Sequence, residues 1–344
     1  MPSAVPIRNV YYLLCYAWNR LEQKDFADVA TAGVTELADL FARVLITGVH
    51  RLCRRGLERG YQERDAEIPG IRGQVDLRTT YTRMLPRHGR AQCRFDELST
   101  DTPQNRVIKA SMQTLATVER LSRDHRVQLL RLSRQLTGVA ALPLSRDLFR
   151  SVGLHANNRH YRFLIDVARL IHQCALPDER AGGYRFRDFI RERREMARLF
   201  EAFIFNFLKL ERADLDVGRE VLAWDAASDE DPELSLLPDM RTDVTVRQPG
   251  RTVVIDAKYY EQTFQQYYDR KTLHSANLYQ LVAYLRNMER CPGQDGAAEG
   301  VLVYPVTSDS VDLTYTVQGH KLRVRTLDLA KEWPGIEADL KALV

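Results

Sequence analysis

Cysteine is scarce in this chain, and its spacing excludes one whole class of metal site. The five cysteines stand singly along the sequence, as Cys15, Cys53, Cys93, Cys174 and Cys291. None forms the C-x-x-C spacing that is typical of structural zinc sites, so a zinc centre built from cysteines is not expected. An odd number of cysteines without a framework spacing is typical of reduced thiols, which predicts a cytoplasmic protein.

Long apolar runs are also missing. No stretch approaches the roughly 20 apolar residues that a helix needs to cross a bilayer, so no membrane partner is expected. Arg8 and Asn9 interrupt the apolar N-terminus and no charged segment precedes it, which indicates an opening helix rather than a signal peptide. The sequence contains no G-x-x-x-x-G-K-[ST] motif, which excludes a P-loop nucleotide site in this chain.

What the chain does contain is enough apolar material for two ordinary domains. It has 344 residues, of which 44% are hydrophobic and 28% are charged, and its net charge is +4. This mild basicity fits a nucleic-acid partner without requiring one. Neither repeats nor low-complexity linkers mark a border, and the polar segment 155–160 is the best candidate. We therefore predict domains at 1–160 and 161–344.

Hydrophobic spacing predicts a mainly helical first domain with some β structure and a compact α/β second domain. In the first domain we expect helices at 35–57, 103–122 and 125–136, and strands at 61–68 and 73–78. In the second we expect helices at 188–211, 273–289 and the C-terminus, and strands at 215–223, 239–247, 251–258, 300–306, 311–318 and 321–328. The predicted fold class is α/β, or α+β for the chain as a whole.

The most informative segment is a strand pair joined by the Pro-Gly pair at 249–250, which is typical of a turn. If these two residues form the loop, counting back along both strands puts Asp243 directly opposite Asp256. Directly opposed side chains share a face, with Cβ atoms about 4.5–5.5 Å apart. Lys258 follows Asp256 by two residues and therefore points the same way. The sequence thus predicts two carboxylates and a lysine on one face of a hairpin.

This arrangement depends on the length of the loop. A three-residue loop would shift the pairing by one residue and move Asp243 to the other face, whereas a four-residue loop restores it. Asp239 competes for the same role, but it lies two pleats further along the strand, about 13–14 Å away. We therefore predict Asp243. The plainer alternative is that Asp256 and Lys258 form an ordinary charge pair at the end of a strand.

Two facing carboxylates at the end of an apolar strand need a compensating cation, because burying paired negative charge is costly. Carboxylate oxygens suit Mg²⁺, for which Mn²⁺ is a possible substitute, and we predict Asp243 and Asp256 as its ligands. A bound Mg²⁺ lowers the pKa of a water and neutralises charge on a phosphodiester. Lys258 can steady the attacking water or the pentacovalent phosphate. The chemistry predicted from these residues is hydrolysis of a phosphodiester.

These residues resemble the core of the PD-(D/E)xK nucleases. The helix that follows contains Gln280 and Tyr284, one turn apart on one face, and is similar to the Q-x-x-x-Y element of the RecB-like branch. The resemblance implies that Gln280 belongs with the catalytic residues. Tyr284 fits a supporting or a core position equally well. Glu201 lies where that branch often has an acidic metal ligand, although a glutamate on a solvated helix face would look identical.

Four further segments carry a narrower resemblance, at 6–14, 67–73, 101–109 and 237–243. Together they are similar to the McrC family of the McrBC modified-cytosine restriction systems, over nearly the whole chain. The resemblance implies a PD-(D/E)xK core with a mixed sheet flanked by helices, behind an N-terminal partner-docking domain. It also implies a hexameric AAA+ partner that binds GTP, whose hydrolysis this chain stimulates, and double-stranded DNA with modified cytosine as the substrate.

Two other functions remain open at this point. One is a RecB-like repair or recombination nuclease that acts alone, and the other is a degenerate nuclease fold that acts only as an assembly factor. Contact with DNA is predicted beside the site for Tyr260, Arg270 and Lys271, although packing at the hairpin edge explains the tyrosine nearly as well. A basic cluster on the helix at 35–57 is more typical of a solvated face.

Overall fold

The computed structural model describes residues 5–19, 36–178, 183–186, 193–260, 265–267, 270–289, 298–306 and 310–344. The chain forms two compact units, one made of residues 1–34 with 188–344 and the other of residues 35–187. The chain opens with helix α1 (Ile7–Ala17), which belongs to the first of these units. Among the described helices, none combines the length and apolar character needed to cross a membrane.

The unit of residues 35–187 is mainly helical with a small sheet. Its elements, apart from two short 3-10 helices, are α2 (Leu37–Arg55), β1 (Gly60–Pro69), β2 (Gln74–Val75), α3 (Leu77–Thr82), β3 (Arg90–Ser99), α4 (Pro103–Ala116), α5 (Arg123–Gln135), α6 (Arg146–Arg150), α7 (Arg162–Cys174), β4 (Ala175–Asp178) and β5 (Gly183–Phe186). The three-stranded sheet has the order β1-β3-β2 and is antiparallel. The predicted helices at 35–57 and 125–136 are confirmed as α2 and α5.

The sequence analysis of this unit failed at two strands. Strand 73–78 is limited to β2, because Asp76 accepts a hydrogen bond from the amide of Thr79 at 3.1 Å and so caps the start of α3. Strand β3 was not predicted at all, since charged residues dilute its apolar pattern. It pairs with all ten residues of β1, and cross-strand ion pairs such as Arg64–Glu97 at 2.8 Å support the ladder.

The other unit contains the larger sheet. Besides α1, its elements are α8 (Arg193–Glu211), β6 (Asp216–Gly218), β7 (Val221–Leu222), β8 (Met240–Arg241), β9 (Val244–Gln248), β10 (Arg251–Ala257), β11 (Gln265–Tyr267), β12 (Arg270–Thr272), α9 (Ser275–Met288), β13 (Glu299–Pro305), β14 (Asp312–Val317), β15 (His320–Leu327) and α10 (Trp333–Lys341). Six strands form one sheet in the order β14-β15-β13-β10-β9-β6. It is mixed, because β13 pairs in parallel with both β10 and β15 while the other pairs are antiparallel.

The predicted mixed sheet flanked by helices is confirmed. The order of its strands determines where in the sheet a charged residue can be buried. Strand β10 is central, with β9 on one side and β13 on the other. On one face, Val254 of β10 packs in a cluster with Leu281 and Leu285 of α9. The helix can come this close because Gly300 in β13 has no side chain: a Cβ there would lie 2.9 Å from Leu281.

A second cluster of aromatic side chains joins three helices of this unit. Tyr12 of α1 stacks on Trp333 of α10 with ring centroids 4.3 Å apart, and Phe207 of α8 meets the same tryptophan at 6.4 Å. Large aromatic rings bury much apolar surface. These contacts explain why the opening helix lies with the C-terminal half of the chain.

The division into units therefore differs from the predicted border at residue 160. Helix α7, which we assigned to the second domain, packs against α2 and α4 of the unit 35–187. Its apolar residues Phe163, Val167 and Ile171 are buried there. Conversely, α1 was assigned to the first domain but packs on α8. Hydrophobic periodicity identifies both helices but does not indicate which core they join.

Candidate metal-dependent active site

The hairpin has the register that the sequence predicts. Gln248 pairs with Arg251, so Pro249 and Gly250 form a two-residue loop, and Gly250 has the positive φ of 72° that a turn of this kind requires. The antiparallel ladder ends at the pair of Val244 with Ile255. The next residues on the two strands are Asp243 and Asp256, so the loop length that moves Asp243 to the other face is excluded.

Asp256 is a buried carboxylate with little compensation. Its exposed fraction is 0%, because the strand that carries it is covered on both sides. Lys258 Nζ lies 3.0 Å from Asp256 Oδ1. Within the described part of the chain, however, neither oxygen of this carboxylate has a hydrogen bond of normal geometry. Burial raises the pKa of Asp256 to about 7; the charge of Lys258 opposes this rise and the charge of Asp243 adds to it.

Asp243 lies beside it and is held by the backbone. Its Oδ2 accepts a hydrogen bond from the amide of Ala257 at 2.9 Å. Burial raises the pKa of Asp243, while this hydrogen bond and the charge of Lys258 act in the opposite direction. The competing candidate Asp239 is exposed and precedes strand β8. The structure therefore brings Asp243, and not Asp239, next to Asp256.

Lys258 is the start of a chain of hydrogen bonds that leads to helix α9. Its Nζ donates to Gln280 Oε1 at 2.9 Å, and Gln280 Nε2 donates to the hydroxyl of Tyr284 at 2.6 Å. Burial alone would lower the pKa of Lys258, but the negative charges of Asp256 and Asp243 outweigh it, so the pKa is raised. The lysine is therefore positively charged at neutral pH, with a fixed orientation.

Glu201 approaches the two aspartates from helix α8 but points to another partner. Its Oε1 lies 2.9 Å from Nη2 of Arg219. Burial raises the pKa of Glu201, and the charge of Asp243 raises it further. Among the described residues, no group of three or more histidine, cysteine or acidic side chains is arranged to hold a metal ion. Of the predicted ligands, the structure thus brings together Asp243 and Asp256, with Glu201 near them in an ion pair.

The two aspartates fit a hard divalent cation. The Asp256 carboxylate is fully buried beside Asp243, and the single ammonium of Lys258, 3.0 Å from Oδ1, faces both carboxylates. Burying paired negative charge costs on the order of several kcal/mol unless a further cation or a proton compensates it. Mg²⁺ is typically held by one or two carboxylates and keeps several waters. Asp243 and Asp256 are therefore candidate Mg²⁺ ligands, and Lys258 is placed to stabilise negative charge beside the ion.

The predicted DNA-contacting residues are described only in part. The hydroxyl of Tyr260 donates to Asn277 Oδ1 at 3.0 Å, and its ring stacks on His274 with centroids 4.4 Å apart. The guanidinium of Arg193 also lies over the Tyr260 ring, 4.4 Å from its centroid. Tyr260 thus has packing partners of its own. The side chains of Arg270 and Lys271 lie outside the described residues.

Sequence reasoning missed two polar residues near the site. Asn277 is buried on α9 and donates to the hydroxyl of Tyr304 at 3.1 Å. Like Gln280, it is an amide on a largely apolar helix, and such a group indicates a need for hydrogen-bond partners. Nothing in the sequence pattern indicated a role for Arg219, because it follows a strand of only three residues and its partner Glu201 is distant in the sequence.

The polar motif at 101–109, one of the segments that carried the resemblance, is structural. Asp101 holds Arg106 through two hydrogen bonds of 2.7 Å, and the fully buried Asn105 donates to the carbonyl of Thr100 at 2.7 Å. Lys109 Nζ donates to two backbone carbonyls at 2.9 and 2.7 Å. These bonds anchor helix α4 to the loops around it. The motif therefore stabilises the fold and is not part of the site.

Comparisons with known proteins identify the family of the chain. Residues 7–305 match the family described as "McrBC 5-methylcytosine restriction system component". The Escherichia coli (strain K12) protein "Type IV methyl-directed restriction enzyme EcoKMcrBC" is 35% identical over 336 residues, which cover 98% of this chain and 96% of that protein. A chain of the half-complex of Thermococcus gammatolerans McrB AAA+ hexamers with bound McrC matches the fold, with a TM-score of 0.62 and 19% identity, over 98% of this chain and 76% of that one.

Proposed function

The chain belongs to the family of McrBC 5-methylcytosine restriction system components, and we propose that it is the DNA-cleaving subunit of such a system. In this proposal the reaction is Mg²⁺-dependent hydrolysis of a phosphodiester by a PD-(D/E)xK site. The observation that carries the proposal is the fully buried Asp256, which lies beside the carboxylate of Asp243 and has the charged Lys258 3.0 Å from its Oδ1. The expected substrate is double-stranded DNA that contains modified cytosine.

Each residue of the site then has a distinct role. Asp243 and Asp256 would hold Mg²⁺, which when bound lowers the pKa of a water and neutralises charge on the phosphodiester. Lys258 donates hydrogen bonds toward the negative charge that develops on the phosphoryl group. Gln280 holds the ammonium of Lys258 in place, since its amide oxygen accepts from Nζ and its amide nitrogen is fixed by Tyr284. Such pre-orientation avoids reorganisation during the reaction.

The proposed partner is a ring-forming AAA+ protein that binds and hydrolyses GTP. This chain has no P-loop motif, and the solved assembly with a matching fold is described as McrB AAA+ hexamers with bound McrC. The unit of residues 35–187 offers a candidate surface for such a partner. Tyr61 and Leu98, paired across β1 and β3, are 77% and 49% exposed, and exposed apolar neighbours are typical of interaction sites.

A cleavage assay tests the proposed function. Methylated and unmethylated plasmids are incubated with the chain and Mg²⁺, each with and without the AAA+ partner and GTP. We expect cleavage only of methylated plasmid and only when partner and GTP are both present, because the site would act on DNA that the partner delivers. Cleavage of unmodified linear DNA by the chain alone would instead favour a stand-alone RecB-like nuclease.

Replacing Gln280 by alanine tests the role of the hydrogen-bond chain. A hydrogen bond to a charged group contributes about 1.5–3 kcal/mol, so we expect cleavage to slow about 10- to 100-fold. Binding of Mn²⁺, measured by calorimetry, should change little, because Gln280 is not a proposed ligand. Tyr279→Phe serves as the control, since Tyr279 lies on the same helix and is 70% exposed. Equal rates for Gln280→Ala and the control would exclude the proposed role.

A further inference from the structure

Arg219 lies near the carboxylates of the site, pairing with Glu201 and acting through its charge on Asp243. It follows strand β6, whose last pair joins Gly218 to Thr245, so the antiparallel register carries the chain alongside Val244 and Asp243. Its Nη2 lies 2.9 Å from Oε1 of Glu201. The guanidinium also lies over the ring of Phe205, 4.6 Å from the centroid. The arginine thus contacts Glu201, an acidic residue whose charge acts on Asp256.

This ion pair can be exchanged for another. The side chains of Arg219 and Glu201 are 33% and 32% exposed, so both remain in contact with solvent, and a half-exposed ion pair contributes only a small stabilisation. A guanidinium presents a planar fork of donors that fits a carboxylate or a phosphate equally well. The ring of Phe205 gives the guanidinium a fixed surface to lie on while its partner changes.

The charges of the site favour such an exchange. Asp243, Asp256 and Glu201 are three carboxylates, and the positive charges that act on Glu201 come from Arg219, Lys258 and Arg241. A divalent cation bound by Asp243 and Asp256 would attract Glu201, and it would bring positive charge next to Arg219. Arg219 would then gain by turning to an anion. In the proposed reaction the available anion is the phosphate backbone of DNA, which is the usual partner of arginine in protein–DNA contacts.

We propose that Arg219 exchanges partners, holding Glu201 while no divalent cation is bound and turning to a phosphate of the DNA backbone once a cation engages Glu201. The inference rests on the proposed function, since it requires a metal site that acts on DNA. It assigns Glu201 to the metal-bound form of the site and Arg219 to substrate binding. It also couples the two, because the arginine becomes available to DNA only where the cation has bound.

The variants Arg219→Ala and Arg219→Lys test the exchange, because it predicts that Mn²⁺ affinity and the cleavage rate change in opposite directions. Without Arg219, Glu201 is free for the cation, so we expect Mn²⁺ to bind the full chain several-fold more tightly in calorimetry. Cleavage of methylated plasmid, measured with the AAA+ partner and GTP, should fall about 10- to 100-fold, as for loss of one hydrogen bond to a charged group. Arg219→Lys, which keeps the charge but loses the fork, should lie between the alanine variant and the wild type in both measurements.

Salt dependence supplies a further measurement. Each phosphate contact that is lost reduces the slope of log affinity against log salt concentration by about 0.9. We therefore expect the KM of Arg219→Ala for DNA to depend less steeply on salt. Arg212→Ala is the matched control, because Arg212 pairs with Asp214 at 2.8 Å in the same unit; it should behave as the wild type throughout.

The outcomes separate this inference from the proposed function. If the wild-type chain binds no Mn²⁺ and cleaves no DNA under any of the conditions, the proposed function fails. If the wild type does both, but Arg219→Ala binds Mn²⁺ with unchanged or lower affinity, only the exchange is overturned. A purely structural role of Arg219 would weaken both metal binding and cleavage, and melting curves of the variants would show the loss of stability directly.

Discussion

Replacing Lys258 by alanine is expected to slow DNA cleavage about 100- to 1000-fold, the usual loss when one donor to a developing negative charge is removed. The ammonium of the lysine is close to Asp256, with Nζ 3.0 Å from Oδ1, and it is held by Gln280. Water cannot replace it, because the neighbouring carboxylate is fully buried. The measurement is the rate of cleavage of methylated plasmid in the presence of the AAA+ partner and GTP.

The same variant separates the two proposed activities of the chain. Lys258 lies in the unit that contains the large sheet, whereas we propose that the partner binds the unit of residues 35–187. Stimulation of GTP hydrolysis should therefore survive in Lys258→Ala. Lys321→Ala, which changes an exposed lysine on strand β15 of the same sheet, is the control for both assays. A folded Lys258→Ala protein that loses both activities would contradict the division of roles.

Replacing Asp256 by asparagine is expected to abolish cleavage and yet to stabilise the metal-free protein at pH 8. The ordinary pKa of an aspartate is 3.8, whereas that of Asp256 in the folded chain is about 7. Between these two values the folded chain binds more protons than the unfolded chain. The stability that this group contributes is therefore complete below pH 3.8 and is lost as the pH rises through about 7. Asparagine carries no charge and escapes this loss.

Melting curves measured from pH 5 to pH 8, with and without Mg²⁺, check this prediction. A gain of about 1–2 kcal/mol corresponds to an increase in Tm of about 2–8 °C for a domain of this size. In the wild type, the increase in Tm caused by Mg²⁺ should grow as the pH rises through about 7, because the ion needs the ionised carboxylate. Asp256→Asn should lose the part of the pH dependence that is centred near pH 7 and the response to Mg²⁺.

An exposed aspartate provides the matched control for this substitution. Asp312 on strand β14 pairs with Arg325 at 3.1 Å on the surface of the sheet. Asp312→Asn should leave cleavage, the pH dependence and the response to Mg²⁺ unchanged. A lower Tm for metal-free Asp256→Asn than for the wild type at pH 8 would mean that the buried charge is compensated in the folded chain, and it would count against the metal site.

The catalytic hairpin could be predicted from the sequence because its geometry is local. A Pro-Gly turn and the alternation of side chains along a strand determine which residues face each other. These rules identified Asp243 as the neighbour of Asp256, and the register of β9 and β10 agrees. The predicted Gln280 also reaches Lys258. That prediction came from a resemblance to known nucleases, since nothing local relates helix α9 to strand β10.

The unit of residues 35–187 shows where local rules fail. Strand β3 has charged residues at most of its exposed positions, and its stability depends on pairing with β1. A strand held by cross-strand ion pairs does not have the apolar alternation by which strands are recognised. The apolar spacing of helices α1 and α7 identified them as helices. However, α1 packs with residues 188–344 and α7 packs in the unit of residues 35–187, and both assignments differ from the predicted ones.

The sequence by itself determined that two aspartates and a lysine lie together on one face of a hairpin, because the spacing of residues along paired strands follows from backbone geometry alone. The tertiary structure decided the rest. It buried Asp256 by placing β10 between β9 and β13, it joined Lys258 to helix α9, and it turned Glu201 toward Arg219. These contacts join residues far apart in the chain, so they depend on how whole elements pack and not on any pattern within one of them.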